Sequence, residues 1–194
     1  SIAALRALKE KCAVTPDFTA GHSLGEFSAL VCSGALDFAD AVRTTRARGQ
    51  YMQEAVPAGK GAMAAVMGKS IDDVAAACEK GAEGQVVSPA NFNSPSQIVI
   101  SGDADAVKRA SELLAADGAK VIPLRVSAPF HCALMAPAAE KLGEFLGGVE
   151  IGSPTVPVVT NVEAEPNTNG DRVRDLLVRQ VTSTVRWTDS VKFM

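Results

Sequence analysis

The stretch whose reading decides the fold is Thr19-Ala-Gly-His-Ser-Leu-Gly-Glu-Phe-Ser-Ala-Leu30. It contains Gly21-His22-Ser23-Leu24-Gly25, a G-x-S-x-G pattern. A short apolar run, Phe18 to Ala20, precedes it, and apolar residues at helical spacing (Leu24, Phe27, Leu30, Val31) follow it. Strand, sharp turn and helix in that order form the context of a nucleophile elbow. The turn strains the serine, and glycines two positions to either side are expected to avoid side-chain clashes. Ser23 Oγ would then stand above a helix start, where N–H groups and the helix dipole favour a developing negative charge. The plain alternative is a glycine-rich turn in which Ser23 only caps the helix.

Working outward, apolar residues at Ile2, Leu5, Leu8 and Cys12 predict a helix, with Pro16 ending that region. The helix after Ser23 is expected to reach about Ser33, with Gly34 as its stop. Asp37 predicts the cap of the next helix, with Asp40 as capping-box partner, and that helix runs to about Ala55 before Pro57. Its apolar face reads as Phe38, Ala41, Val42, Thr45, Gly49 and Met52. Arg46 and Arg48 flank that face equally on opposite sides, while Arg43 and Ala47 point away. Periodicity nominates both arginines for a partly buried role and does not choose between them.

From Gly59 the rhythm changes. Strands are expected over Ala62 to Met67, Val86 to Asn91, Gln97 to Ser101 and Lys120 to Ser127, the last at an edge or bulge because of Pro123. Between them lie a helix opened by a Ser70–Asp73 capping box and ended at Gly81, and a helix from Ala104 to Ala116 stopped by Gly118. Asn91 to Pro95 reads as a turn. The resulting β-α-β-β-α-β order is the ferredoxin-like pattern. Beyond it, Met135 to Leu146 predicts a helix, Val156 to Thr160 a buried strand, and Asp171 the cap of a helix through about Gln180. Val185 to Trp187 leads into a final helix. The expected fold class is α/β: a large subdomain of residues 1–58 and 128–194, interrupted by a small subdomain of residues 59–127.

Composition sets outer limits. The 194 residues are 47% hydrophobic and 21% charged, which fits a soluble globular protein. No apolar run approaches the ~20 residues of a membrane span, and the amphipathic start with Arg6, Lys9, Glu10 and Lys11 is not a signal peptide. A net charge of −3 gives no support for nucleic-acid binding. Cys12, Cys32, Cys78 and Cys132 lie far apart with no histidine cluster. No metal site or disulfide is expected, and reduced thiols fit a cytoplasmic protein. The start at Ser1 and an uncapped pattern from Thr188 to Met194 are expected of a piece of a longer chain.

The histidine count narrows the chemistry. A serine hydroxyl needs a general base, and histidine, with a pKa of about 6.5, is the usual one. The chain has only His22 and His131. His22 adjoins Ser23, and neighbours on an extended backbone face opposite ways. His131, in Ser127-Ala-Pro-Phe-His-Cys132 at the junction of the two subdomains, is the remaining candidate, although a surface-loop histidine would read the same way. Asp103, Asp105 and Asp117 lie between Ser23 and His131, but none follows a parallel strand as an orienting acid should. A Ser–His dyad is therefore expected. A buried arginine beside it would bind a carboxylate by two parallel hydrogen bonds and so select an acidic acyl group.

Gly21-His-Ser-Leu-Gly-Glu26, Arg48-Gly49 with Met52-Gln53, Asn91-Phe-Asn-Ser-Pro95 and Ser127-Ala-Pro-Phe-His131 resemble the malonyl-CoA:acyl carrier protein transacylase family of fatty acid synthesis. The resemblance covers essentially the whole chain. It implies an α/β-hydrolase-like large subdomain with an inserted ferredoxin-like small subdomain. It further implies Ser23 as nucleophile, His131 as general base and acid, Arg48 rather than Arg46 on the malonyl carboxylate, and the Leu24 N–H as an oxyanion donor. Phe130 and Asn93 are implied on the substrate side, Phe130 as a ring that crowds α-methyl branches, or as plain core packing. The implied reaction is ping-pong: malonyl-CoA acylates Ser23, and the phosphopantetheine thiol of acyl carrier protein takes the malonyl group. No cofactor is implied beyond the substrate malonyl-CoA, and a monomer is expected. Lys60, Lys120, Arg125, Arg179 and Arg186 are candidates for a basic surface that meets an acidic carrier protein. The family's first strand, with its second oxyanion donor, has no counterpart here. The family also continues past this C-terminus, with a segment expected to orient the histidine. The piece alone is therefore expected to be inactive. Competing expectations are a serine esterase or thioesterase, and a non-catalytic interaction module of the same fold.

Overall fold

The computed structural model describes residues 1–194. In chain order the elements are α1 (Ile2–Lys11), β1 (Thr19–Ala20), α2 (Gly25–Cys32), α3 (Phe38–Ala55), β2 (Gly61–Met67), α4 (Ile71–Ala82), β3 (Val87–Ser94) and β4 (Gln97–Asp103). They continue as α5 (Ala104–Ala116), β5 (Lys120–Pro123), α6 (Ala136–Gly147), β6 (Val158–Val159), β7 (Pro166–Asn167), α7 (Gly170–Thr182) and α8 (Trp187–Phe193), with a 3-10 turn at Ala133–Met135. The class is α/β, with two sheets.

The smaller sheet has the order β1-β6-β7, with β1 parallel to β6. Its strands are short, and β6 covers only part of the expected Val156–Thr160 run. Helices supply most of the core around it: Phe27 and Leu30 of α2, Met52 of α3, Leu142 and Leu146 of α6, and Leu177 and Val181 of α7 form one buried cluster.

The second sheet is antiparallel, in the order β3-β4-β2-β5. Each helical crossover joins strands separated by one other strand, which is the split βαβ arrangement of a ferredoxin-like unit. Residues of β2 alternate between its two faces, as a period of two requires. Ala64 and Val66 pack against Val74 of α4 and Leu114 of α5, while Met63 and Ala65 face the other way, toward Leu124 and Phe130. The second sheet therefore has one face under its own helices and the other toward the Ser127–Cys132 turn. Pro123 lies in edge strand β5, where its missing N–H costs nothing.

Several local expectations need correction. Asn91 to Ser94 is strand rather than turn, because two register shifts let β3 continue alongside β4. Asn169, not Asp171, caps α7 by accepting from Asp171 N. Asp37 accepts from Ala39 N and Asp40 N, but Asp40 turns outward to Arg43, so the capping box is half made. The buried face of α3 is Ala41, Thr44, Ala47, Arg48 and Met52, with Phe38 and Val42 exposed. Tertiary packing thus buries Ala47, which periodicity pointed outward. Gly81 does not stop α4, which runs one residue further and ends with Glu83 in the left-handed region. Gly81 lies inside the helix, where an added Cβ would come within 2.8 Å of Ala110 N on α5.

That contact predicts that Gly81→Val loses roughly 1–3 kcal/mol by forcing α4 and α5 apart, a fall in melting temperature of roughly 2–12 °C for a chain of this size. Gly152→Val, at an exposed position where an added Cβ meets nothing within 4 Å, is the control and should melt close to the parent. Equal melting of the two variants would remove close helix packing as the reason for this glycine.

Candidate active site

The elbow is strained in the expected place. Ser23 has φ 52, in the left-handed region that a side chain disfavours. An added Cβ at Gly21 would lie 2.0 Å from the Gly25 carbonyl carbon and oxygen. At Gly25 an added Cβ would meet nothing within 4 Å. The expected two-sided clash is therefore one-sided: Gly21 must lack a side chain because the backbone of Gly25 passes against it. Asn161, in the turn after β6, pins both limbs of the elbow. Its Oδ1 accepts from Ser23 N at 2.6 Å and its Nδ2 donates to Gly21 O at 2.8 Å. Ser23 does not cap α2, whose N-cap position is Leu24 with no side-chain cap bond. The plain capping alternative fails on that point. Ser23 N–H is taken by Asn161, whereas Leu24 N–H has no intramolecular acceptor and is free for an incoming oxyanion.

His131 lies in the turn between β5 and α6, buried, with φ 59. Its Nε2 is 2.7 Å from Ser23 Oγ, across 108 positions of chain. Its Nδ1 is 2.9 Å from Gln180 O. A carbonyl only accepts, so Nδ1 carries the proton, and Nε2 presents a lone pair to the serine hydroxyl. No carboxylate orients the ring. Asp103 accepts from Val86 N, Asp117 pairs with Lys69, and Asp105 is exposed. The orienting backbone was expected beyond the C-terminus. It is instead Gln180 in α7, within this chain. Burial first, then the nearby Arg48 cation, pushes the His131 pKa down to about 4.

Arg48 is buried at 6% exposure and Arg46 is exposed, which resolves the pair left open by periodicity. Arg48 Nη2 donates to Ser23 Oγ at 2.9 Å and to Gln180 Oε1 at 3.0 Å. Its Nε is buried without a partner. Burial pushes its pKa down to about 10, which leaves it charged at neutral pH. The Gln180 amide nitrogen donates to Glu26 Oε2 at 2.7 Å and to Ser23 O at 3.1 Å. Glu26 Oε2 also accepts from Asn161 N at 3.0 Å. Burial pushes the Glu26 carboxyl up to about 7, against the opposing pull of its hydrogen bonds and of Arg48.

These groups open into a cleft of about 440 Å³ between the two sheets. Ser23, Arg48, Met52, Met63, Phe130 and His131 are on its wall. Phe130 also packs against both core clusters beside it. Asn93 is not on that wall. Its Oδ1 lies 2.8 Å from His22 Nε2 and its Nδ2 donates to Gln97 Oε1 at 3.1 Å. Residues 91 and 93 of a regular strand would share a face, but the register shift between Phe92 and Ser94 leaves Asn93 off the cleft wall, tying His22 to the second sheet, while Asn91 lines the cleft. The expected place of Asn93 on the cleft's substrate side is corrected on that geometry. Gln180 and Asn161 escaped the sequence reading. Gln180 had a signal: it is polar on a face otherwise made of Val173, Leu176, Leu177 and Val181. Asn161, in an irregular turn, had none.

A half-buried serine on a strained elbow, hydrogen-bonded to a buried histidine and flanked by a guanidinium, is the arrangement expected of a serine-type acyl-transfer site. The model of the acyl transferase domain family matches residues 1–194, and the chain belongs to that family. It is 55% identical over 195 residues to the malonyl CoA-acyl carrier protein transacylase of Escherichia coli (strain K12), covering 100% of this chain and 63% of that protein. Among solved structures, the malonyl CoA-acyl carrier protein transacylase of Coxiella burnetii matches with TM-score 0.97 at 44% identity, over 99% of this chain and 61% of that one. A type II PKS acyl-carrier protein in complex with its malonyl-transacylase matches with TM-score 0.96 at 50% identity, over 99% of this chain and 62% of that one. The chain thus spans about 63% of the length of the curated relative.

The depressed pKa of His131 has a kinetic consequence. Acting as general base to Ser23, His131 would have to be neutral, so modification of Ser23 by phenylmethylsulfonyl fluoride should stay level from pH 8 down to about 5. It should fall only as pH drops through about 4. Circular dichroism at each pH separates loss of the base from loss of fold. A fall centred near pH 6.5 would mean that His131 is solvated rather than buried.

Proposed function

We propose that this site transfers a malonyl group from malonyl-CoA to the phosphopantetheine thiol of acyl carrier protein, in fatty acid biosynthesis. The observation that carries the reading is the buried Arg48 guanidinium, 2.9 Å from Ser23 Oγ. A cation there suits an acyl chain that ends in a carboxylate, which a guanidinium can bind through two parallel hydrogen bonds. A general esterase has no use for a buried charge beside its nucleophile, since desolvating it costs stability. The names of the relatives point the same way, as does the carrier protein in the related complex.

In this mechanism Ser23 Oγ attacks the thioester carbonyl as His131 Nε2 takes its proton. The oxyanion of the tetrahedral intermediate is met by Leu24 N–H. Collapse breaks the C–S bond, and His131 returns the proton to the departing CoA sulfur. Malonyl-Ser23 then reacts in reverse order. The carrier thiol gives its proton to His131 Nε2, sulfur attacks the ester, and Ser23 leaves with the proton restored. Arg48 holds the malonyl carboxylate through both halves. Phe130, on the cleft wall, crowds the carbon between the two carbonyl groups and disfavours branched acyl chains. Residues 59–127 act as the small subdomain that closes the cleft over residues 1–58 and 128–194. No step calls for a metal or cofactor.

Ser23, His131, Arg48 and Gln180 all come from one chain, which fits a monomer as the acting unit. The four free cysteines suit a reducing cytoplasm. Among the basic candidates, Arg179 is tied to Glu163 and Asp175, and Arg186 to Asp189. Lys60, Lys120 and Arg125 are exposed and form no ion pair, and they are the better candidates to meet an acidic carrier protein.

Intact-mass analysis of Ser23 after single-turnover loading tests the reading. Arg48→Ala should lower malonyl loading by roughly 100-fold, in keeping with loss of a charge-assisted bidentate contact of about 3 kcal/mol, and should spare or raise acetyl loading. An equal fall for both acyl groups would sink the carboxylate role, and no adduct on Ser23 from malonyl-CoA, in a chain that spans the full length of the curated relatives, would sink the enzyme reading altogether.

A further inference from the structure

Between Arg48 and the nucleophile helix lies a carboxylate that the mechanism above does not use. Glu26 is 2% exposed, one residue into α2, and sits beneath the elbow. It reaches Arg48 through a single side chain. Gln180 Oε1 accepts from Arg48 Nη2 at 3.0 Å, while Gln180 Nε2 donates to Glu26 Oε2 at 2.7 Å. The two neighbours leave the amide no choice of orientation. A guanidinium only donates, and Glu26 Oε2 already accepts from Asn161 N at 3.0 Å. Turned over, the amide would set NH2 against the guanidinium and its oxygen against the carboxylate, so two buried hydrogen bonds would be lost at once.

The arrangement does not depend on the charge of Glu26. Burial pushes that carboxyl up to about 7. Oε2 is engaged by two N–H donors, so the proton of the acid form belongs on Oε1, and Oε2 remains an acceptor in both forms. The Arg48 Nε has no partner, so the guanidinium is held mainly at its Nη2 end, by Gln180 and Ser23. Once an acyl group occupies Ser23, the hydroxyl contact is gone, and the Gln180 amide is the remaining hydrogen-bond partner of that nitrogen.

We propose that Glu26 is a positioning residue for acyl selection: acting through the Gln180 amide, it holds Arg48 where a carboxylate at the end of the acyl chain meets the guanidinium. The proposal rests on the malonyl-transfer reading above. It predicts a particular pattern of damage. Removing the acceptor leaves Gln180 Nε2 only its longer bonds, to Ser23 O at 3.1 Å and to Asn161 Oδ1 at 3.5 Å, so the amide is held less firmly, Arg48 loses its fixed position, and loading of a carboxylated acyl group suffers. Loading of acetyl, which makes no use of Arg48, does not.

The test measures single-turnover loading of Ser23 from malonyl-CoA and from acetyl-CoA, on full-length protein, for wild type, E26A, E26Q, R48A and the double variant E26A/R48A. E26A should lower the malonyl-to-acetyl ratio roughly tenfold, mainly through KM for malonyl-CoA, with acetyl loading near wild type. E26Q keeps an acceptor oxygen and should stay within about threefold of the wild-type ratio. E26A should add nothing to the ratio in the R48A background, because the two act on one interaction. If E26A does not fold, E26D retracts the acceptor from Gln180 Nε2 and should show the same loss. A merely structural Glu26 would lower both acyl groups together and leave the ratio unchanged, which would overturn the proposal. So would E26Q losing selectivity as fully as E26A, or a full effect of E26A persisting in the R48A background. An unchanged ratio in R48A itself would overturn the malonyl reading instead, so the two failures are distinguishable.

Discussion

The amide group of Gln180 and the peptide carbonyl behind it hold this site together. The carbonyl takes His131 Nδ1, the side-chain oxygen takes Arg48, and the side-chain nitrogen reaches Ser23 O and Glu26. One residue of one helix therefore touches His131, Arg48 and the strand-to-helix turn that carries Ser23. α7 docks against the main core through Val173, Leu177 and Val181. The precision of the chemistry is thus set by apolar packing some distance from it. A shift of α7 would loosen the hydrogen bonds that fix His131 and Arg48 relative to Ser23.

Enclosure also shapes the electrostatics. His131 is driven down, Arg48 is driven down, and Glu26 is driven up, in each case chiefly because burial penalises the charged form. His131 and Glu26 pull stability in opposite directions. His131 has a folded pKa of about 4 against 6.5, so the native state binds fewer protons there, and the contribution is lost as pH falls through that window. Glu26, at about 7 against 4.5, makes the native state bind more protons, so its contribution is lost as pH rises. Across the overlap the two slopes offset one another. The site can therefore keep a neutral imidazole beside a permanent cation without making the fold strongly pH-sensitive on that account.

The two sheets divide the labour by their construction. The second sheet has longer antiparallel strands and a core of its own beneath α4 and α5. The smaller sheet is built of two-residue strands and depends on helices for its core. The cleft forms where the face of the second sheet that carries no helices meets the helical core, with Phe130 and His131 in the turn between them. His22, tied to Asn93 on β3, is a second link across the same seam. Strain is concentrated there as well: Ser23 and His131 are both non-glycine residues with positive φ, and each is held by hydrogen bonds from other elements.

What local chemistry dictates was legible in the sequence by itself. The elbow at Ser23, the span of α3 and of α5, the βαββαβ order and the choice of His131 over His22 all follow from spacing, caps, turn residues and the small number of histidines. Only the tertiary structure decided matters that depend on distant partners. Arg46 and Arg48 are equivalent on a helical wheel, and Arg48 is the one that reaches Gln180 of α7. Ala47 turns inward because α3 packs against α6. Asn93 is drawn to His22 by a neighbour 71 positions away. Gln180 and Asn161 acquire their roles from contacts spanning 132 and 138 positions. The physical reason is that helix and turn signals act over a few residues of chain, whereas hydrogen bonds and burial act through space and depend on the packing of the whole chain.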